Sequence, residues 1–533
     1  MRAVPGLGMR TVRIEENMER VSEIDARRAE KMVSEGAPVF PEGVAPSLGD
    51  DGLPTGGPAD DDLYDVVVIG GGPTGENLAE RAHAGELRVA VVEHELVGGE
   101  CSYWACMPSK ALLRPAAALA DARRVGGAAQ AVTGALDAAA VLARRDSFAS
   151  DWNDDGQVRW LATAGLHLVR GHGRLDGPRR VVVRTPDGGE RVLRARHAVA
   201  VCTGSQAALP DLPGLAEARV WTSREATSAK TVPPRLAVVG GGVVAVEMAT
   251  AWRALGSEVT MLVRDDRLLG NMEPFAGELV AESLLASGVD LRFGESATEV
   301  RRSAAHEIVL TLASGGTLTA DEALFATGRR PTTSDLGLET VGCKPGDWLA
   351  VDDTGLVAGV EGEWLYAAGD VNHRVLLTHQ GKYQGRIFGG VIADRAHGRP
   401  LDLAPWGRSV ATADLAAVPQ VVFTDPEAAA VGLTLEQAHR QGLRVRAVDY
   451  DLGGVAGASL YADGYRGRAR AVVDQDREVL VGVTFVGPGV SELVHSAAVA
   501  VAAEVPLNRM WHVVPAYPTI GEIWLRLLET YRG

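Results

Sequence analysis

An α/β fold made of two βαβ units, with an α+β domain behind them, is predicted by three observations. A glycine-rich turn, Gly70-x-Gly72-x-x-Gly75, sits between an apolar strand and a helical stretch. A second turn of the same kind, Gly240-x-Gly242-x-x-Ala245, recurs downstream with Ala245 in the third glycine slot. Near the C-terminus, Arg468 to Val486 alternates apolar and polar residues, as antiparallel strands do.

The elements follow in order. Asp65-Val66-Val67-Val68-Ile69 reads as the first strand, Asn77 to Ala84 as a helix, and Arg88 to Glu93 as the second strand. Gly70, Gly72 and Gly75 permit a tight turn and let the backbone approach a pyrophosphate at the helix N-terminus. Glu93 ends the second strand, where a carboxylate accepts hydrogen bonds from a ribose. Strand, glycines, helix, strand and acid in that order are a strong Rossmann-like dinucleotide signal. Ala111 to Arg145 is rich in Ala, Leu and Arg and reads as helices. Leu166 to Val201 reads as a strand meander turning at Pro186 to Gly189. Breaks at Pro210 to Gly214 and at Pro233-Pro234 mark the entry to the second unit. That unit has strands at Leu236 to Val239 and at Glu258 to Arg264.

Close behind the first unit stands Gly98-Gly99-Glu100-Cys101-Ser102-Tyr103-Trp104-Ala105-Cys106-Met107-Pro108-Ser109-Lys110. Two thiols at this spacing close into a disulfide if the backbone turns between them, because bridged Cα atoms lie within about 7 Å. A nearby cation favours the thiolate. The alternative is two buried small hydrophobes, the usual fate of a free cysteine. Cys202 and Cys343 lie in apolar or loop contexts and are expected simply to pack.

Composition narrows the function classes. A formal net charge of −16 disfavours nucleic acid, whose binding depends on Lys and Arg neutralising phosphates. No apolar stretch is long and uncharged enough to span a bilayer, and no secretory leader is visible, so neither membrane nor export is expected. Few cysteines and no spaced framework point to a reducing cytoplasm. Residues 1–62 stand apart, with 13 acidic and 7 basic side chains. Thr11 to Glu35 suggests a charged helix, and Gly36 to Asp62 a Gly- and Pro-rich disordered linker. The segment reads as dispensable and carries no metal-binding Cys-x-x-Cys; no metal site is expected.

From about Tyr64 onward the chain resembles the flavin-dependent pyridine nucleotide–disulfide oxidoreductases, the group of glutathione reductase, lipoamide dehydrogenase and mercuric reductase. Beyond the fingerprints and the cysteine pair, the likeness rests on separated motifs in family order. Thr203-Gly204-Ser205 resembles the turn closing the first flavin segment. Thr327-Gly328-Arg329-Arg330-Pro331 resembles the motif closing the nicotinamide domain. Tyr366-Ala367-Ala368-Gly369-Asp370-Val371 resembles the second flavin segment, whose aspartate bonds the ribityl chain. Val422 to Glu427, with Val431-Gly432, resembles the start of a dimerisation domain.

The resemblance implies a homodimer whose active site is shared between subunits. It implies an FAD domain at 63–214 continued at 331–405, an NAD(P) domain at 215–330 and an interface domain at 406–533. Cys106 is then the thiolate lying against the flavin, and Cys101 the outer sulfur that attacks substrate. Lys110 then sits near the flavin and pairs with Glu247, so that the carboxylate lowers the cost of burying its charge.

The nicotinamide cofactor is read by comparing the two units. Gly70 and Glu93 are 23 residues apart; the same step from Gly240 lands on Val263, with Arg264 next. A ribose 2′-hydroxyl wants an acid there, and a 2′-phosphate wants an arginine. Arg264 therefore indicates NADPH, with NADH as the alternative. Asp265 and Asp266 oppose this reading, and Gly270 stands where NADPH-type members carry a second arginine, with Arg267 close by.

The C-terminal run departs from the family. Most disulfide reductases end in His-x-x-x-x-Glu, donated to the partner's disulfide. Here Glu522 is present, but Tyr517 holds the histidine position. A phenol with an ordinary pKa of about 10 is a poor base near neutrality. The tyrosine resembles mercuric reductase, yet the final residues, Leu527 to Gly533, hold no cysteine pair to deliver a metal. The leading expectation is an enzyme that reduces a disulfide or similar electron-poor acceptor through Cys101 and Cys106. The alternative is a diaphorase, quinone reductase or redox sensor with little disulfide turnover. Lipoamide dehydrogenase and mercuric reductase stand behind both.

Overall fold

The computed structural model describes residues 62–533. The helix expected over Thr11 to Glu35 lies outside the described residues, as does the expected linker except for Asp62. The strand Leu63–Ile69 is the middle of a seven-stranded sheet. It pairs in parallel with Val89–Glu93 on one side and Glu190–Val201 on the other. His167–Arg170 extends the first edge, and Arg180–Arg184 and His172–Leu175 add antiparallel strands at the second. Val66 to Val68 are wholly buried, as a strand covered on both faces must be.

The seventh strand comes from far along the chain. Leu365–Ala367 pairs in parallel with Glu190–Val201, so the segment ending in Gly369-Asp370 returns to the first unit. The helix that follows, Thr378–Ala396, packs along Pro73–Ala84. Glycine makes this approach possible: a Cβ on Gly385 would lie 2.8 Å from the Thr74 carbonyl oxygen, and one on Gly389 2.6 Å from that of Leu78. The first helix starts at Pro73, earlier than the apolar pattern from Asn77 suggests, because proline suits a first helical turn.

The second unit is a four-stranded parallel sheet in the order Asp290–Phe293, Glu258–Val263, Arg235–Val239, Glu322–Phe325. A three-stranded antiparallel sheet, Ala297–Arg302, Ile308–Leu312 and Thr317–Ala320, covers it. The C-terminal part is a five-stranded antiparallel sheet with helices, including the strands Arg468–Asp474 and Val479–Gly487. One apolar core joins these parts. Leu112 and Leu113 of the helix Cys106–Arg123, Trp252 of the second unit, and Val422 and Ala428 of the C-terminal sheet belong to the same cluster. The cysteine-bearing helix is thereby fixed against both neighbours. Among the described residues, no helix is long and apolar enough to cross a membrane.

Candidate active site

The first glycine turn is built by exclusion. Gly70 has φ +107°, and a Cβ there would lie 2.4 Å from the Cys202 carbonyl oxygen. A Cβ on Gly75 would lie 1.9 Å from the Gly70 carbonyl oxygen. At Gly72 the nearest atom is the Gly99 Cα, 3.9 Å away, so space remains at the mouth of the helix. No side chain caps that helix, which leaves its N–H groups for an anion. Glu93 is buried at the strand end. Its Oε2 accepts from the Gly71 amide at 2.8 Å and its Oε1 from the Glu95 amide at 2.7 Å. Burial works against its charge, but His94 and these amides together hold the carboxyl below the usual range.

A cavity of about 510 Å³ is lined by this turn, by Cys101 and Glu93, and by Thr203, Gly204 and Asp370. Thr203 Oγ1 is buried without a hydrogen-bond partner. Asp370 accepts from Ser205 Oγ at 2.5 Å, and Gly369, at φ +79°, turns the chain into it. A cavity with a glycine turn at a helix N-terminus, a carboxylate for a ribose, an unpartnered hydroxyl and a second carboxylate fits FAD.

Cys101 lies in the short helix Gly99–Tyr103, and Cys106 opens the helix Cys106–Arg123. Both are free thiols, and a hydrogen bond joins them. Their acidities split. The bond from Cys101 brings Cys106 down to about 6 against the resistance of burial, helped by the Thr378 hydroxyl and the charge of Lys110. The same bond, with burial, pushes the Cys101 thiol well up. Cys101 and Thr378 line the cavity wall. Cys106 Sγ lies 3.2 Å from Thr378 Oγ1. The lowered pKa of Cys106 and the raised one of Cys101 run in the order expected of Cys106 as the thiolate.

Lys110 lies one helical turn beyond Cys106. Its Nζ donates to Glu247 Oε2 at 2.8 Å, and Glu247 Oε1 accepts from the Phe423 amide at 3.0 Å. Glu247 belongs to the helix Val243–Ala254 of the second unit and is buried. The pair inferred from sequence therefore ties three parts of the chain together beside the sulfurs.

In the second turn, Gly240 has φ +134° and Ala245 is fully buried, while a Cβ on Gly242 would meet nothing within 4 Å. Gly328 also has φ +134°, where the chain leaves this unit. Arg264 is 85% exposed and, among the described residues, bonded only to its neighbour Asp265, at 3.3 Å. Arg267 donates to the Gly270 carbonyl at 3.2 Å.

Tyr517 and Glu522 do not join the sulfurs within one chain. Tyr517 is 77% exposed beside the exposed Val513 and Val514. Glu522 is buried; its Oε1 accepts from Arg526 at 2.6 Å, and its Oε2 has no partner. Cys202 is fully packed, its thiol pushed up to about 12 by burial. Sequence reasoning missed Thr378, whose only signal is its place at the start of a long helix. A thiolate is favoured at such a positive end. It also missed Arg224, Glu95, Glu100 and Trp104, which meet across the cavity.

A family model for pyridine nucleotide-disulphide oxidoreductases matches residues 64–385, and the model for the dimerisation domain of that family matches residues 418–527. The mercuric reductase of Staphylococcus aureus is 31% identical over 469 residues, covering 86% of this chain and 81% of that protein. Dihydrolipoyl dehydrogenase 3 of Pseudomonas putida is 33% identical over 475 residues, covering 86% and 96%. Among solved structures, LpdA from Mycobacterium tuberculosis matches at a TM-score of 0.74 and 26% identity, over 88% of this chain and 99% of that one. The HOCl-induced flavoprotein disulfide reductase RclA from Escherichia coli, as a Cu(II) complex, shares the fold at a TM-score of 0.74 and 22% identity over the same shares.

Proposed function

The chain belongs to the pyridine nucleotide-disulphide oxidoreductase family, flavin-dependent enzymes that bind FAD and a pyridine nucleotide, and from that premise we propose that it carries electrons from NADPH through Cys101 and Cys106 to a disulfide or similar electron-poor acceptor. One arrangement carries the reading: two thiols hydrogen-bonded to each other, Cys101 on the cavity wall and Cys106 3.2 Å from Thr378 Oγ1, with Cys106 acidified to about 6 and Cys101 raised. Bound in that cavity, FAD supplies the ring that accepts hydride from the nicotinamide and delivers two electrons to the sulfurs.

The chain's own groups do the rest. Gly70, Gly72, Gly75, Gly204 and Gly369 let the backbone close on the cofactor, with Thr203, Glu93 and Asp370 as its polar contacts. Gly240, Gly242, Ala245 and Gly328 serve the nicotinamide nucleotide, and Arg264 faces its 2′-phosphate. With the couple reduced, Cys101 loses its proton and attacks one sulfur of the acceptor, releasing the first thiolate. Cys106, already a thiolate at neutrality, then attacks Cys101 Sγ, closes the disulfide and releases the second. The proton given up by Cys101 returns to one leaving thiolate, and the other takes its proton from solvent. Lys110 steadies the Cys106 charge, and Glu247 keeps Lys110 in place. Tyr517 and Glu522 reach the acceptor from the partner subunit of a homodimer, which the matched dimerisation domain supports.

The presence of Tyr517 where a histidine shuttles protons favours a second reading, a diaphorase that reduces quinones at the flavin. Anaerobic reduction by NADPH or NADH, followed by a panel of small disulfides, quinones and mercuric ion, tests both. Mercuric ion belongs there because mercuric reductases are among the relatives. Turnover with a disulfide that is abolished by Cys101→Ser supports the first reading. Turnover with quinones alone, unchanged by that substitution, supports the second.

A further inference from the structure

Arg224 bonds residues that line the same cavity but lie far from it along the chain. It lines that cavity with Thr222 and Ser223, as do Glu95, Glu100 and Trp104. Its Nη1 and Nη2 donate to the two oxygens of Glu95, at 3.1 and 3.0 Å, and its Nε donates to Glu100. Its Cζ stands 4.1 Å from the centre of the Trp104 ring. A planar guanidinium is the cation that makes all these contacts together. One turn on, Thr227 Oγ1 donates to the Trp104 carbonyl at 2.8 Å and anchors the same loop.

Glu100 is in an awkward place for a carboxylate. It follows Gly99, whose Cα faces Gly72 at the mouth of the phosphate-facing helix. A diphosphate bound there brings like charge close to Glu100, and that repulsion is unfavourable unless a cation offsets it. Arg224 is the cation bonded to Glu100. Its side chain is 39% exposed.

Resting on the reading that this cavity holds FAD, we infer that Arg224 is a cofactor-retaining latch, closing the cavity across Glu95, Glu100 and Trp104 and offsetting Glu100 beside the diphosphate. No long dinucleotide leaves until those bonds break. Because the latch is partly exposed, salt weakens it.

The test measures the rate at which purified holoenzyme releases FAD, by flavin fluorescence, from low to high sodium chloride. Wild-type release is expected to accelerate several-fold with salt. Arg224→Gln is expected to release FAD about tenfold faster at low salt and to lose most of the salt response. Arg224→Lys, which keeps the charge without the fork, falls between them. Adding Glu100→Gln to Arg224→Gln slows release again, because the uncompensated charge is gone; a mere structural brace gives no such rescue. Release from Arg224→Gln at the wild-type rate with the wild-type salt response overturns the latch, and so does a double variant as leaky as the single. Should Arg224→Gln not fold, Arg224→Lys carries the test by its rate alone, and a wild-type rate overturns the proposal. A protein that takes up no FAD overturns the cofactor reading and the latch with it.

Discussion

Replacing Cys101 by alanine is expected to move the titration of Cys106 upward, and replacing it by serine much less. The hydrogen bond from Cys101 is the largest influence bringing Cys106 from 9.0 to about 6. The sign follows from the charged form being the one that is stabilised. The thiolate persists from alkaline pH down to about 6 and is lost below it. At pH 7 a thiol with pKa about 6 is about 90% ionised, and one at 9 about 1%. Alanine removes the donor but leaves Thr378, Lys110 and the burial unchanged. A rise of about one to two pH units is expected, the size of a single strong hydrogen-bonding or charge effect. At the middle of that range about a quarter of the thiolate survives at pH 7. Serine keeps a hydroxyl that donates to the thiolate, so its midpoint stays nearer 6. The assay is the long-wavelength absorbance of a thiolate beside the flavin, titrated with pH in each holoenzyme variant. Equal midpoints near 6 for both variants refute the hydrogen bond as the cause. Midpoints near 9 for both refute Cys106 as the thiolate.

Other substitutions probe the remaining groups. Lys110→Met leaves Glu247 buried without its cation; a loss of about 2 kcal/mol is expected in denaturant unfolding, below the usual cost of a broken buried pair because Lys110 is 36% exposed. The same change raises the Cys106 midpoint, since Lys110 favours its charge. Tyr517→His is expected to raise steady-state turnover with a small disulfide by up to about 10²-fold, the lower end of what a general base contributes; an unchanged or lower rate counts against a partner-donated base at this position. Arg264→Ala is expected to weaken NADPH about tenfold in KM and leave NADH nearly unchanged, because an exposed arginine–phosphate contact is worth about 1.5 kcal/mol. Equal effects on both cofactors remove the 2′-phosphate argument.

Much of the site was legible because its residues are required by local geometry. Gly70 and Gly75 stand where a Cβ collides with backbone, so glycine spacing alone marks the turn. Cys101, Cys106 and Lys110 lie within one short run, and Glu93 follows its turn at a fixed step. Lys110 and Glu247 are 137 positions apart, and their pairing was inferred only from family resemblance. Nothing local predicts Thr378, which reaches Cys106 from 272 residues downstream. Arg224 is equally silent in sequence: its partners Glu95, Glu100 and Trp104 belong to another unit, and a solvated surface arginine has the same local signature.

The amino-acid sequence by itself determined the two βαβ units, the phosphate-facing turns and the sulfur pair, because strand periodicity, positive-φ glycine and short thiol spacing act within a few residues. Only the tertiary structure brought Thr378 to Cys106, and Arg224 to Glu95 and Glu100 at the cavity. Those contacts depend on groups brought together by a shared apolar core and by two helices packed closely through glycine. Charge and hydrogen bonding act through space over a few ångströms, without regard to separation along the chain.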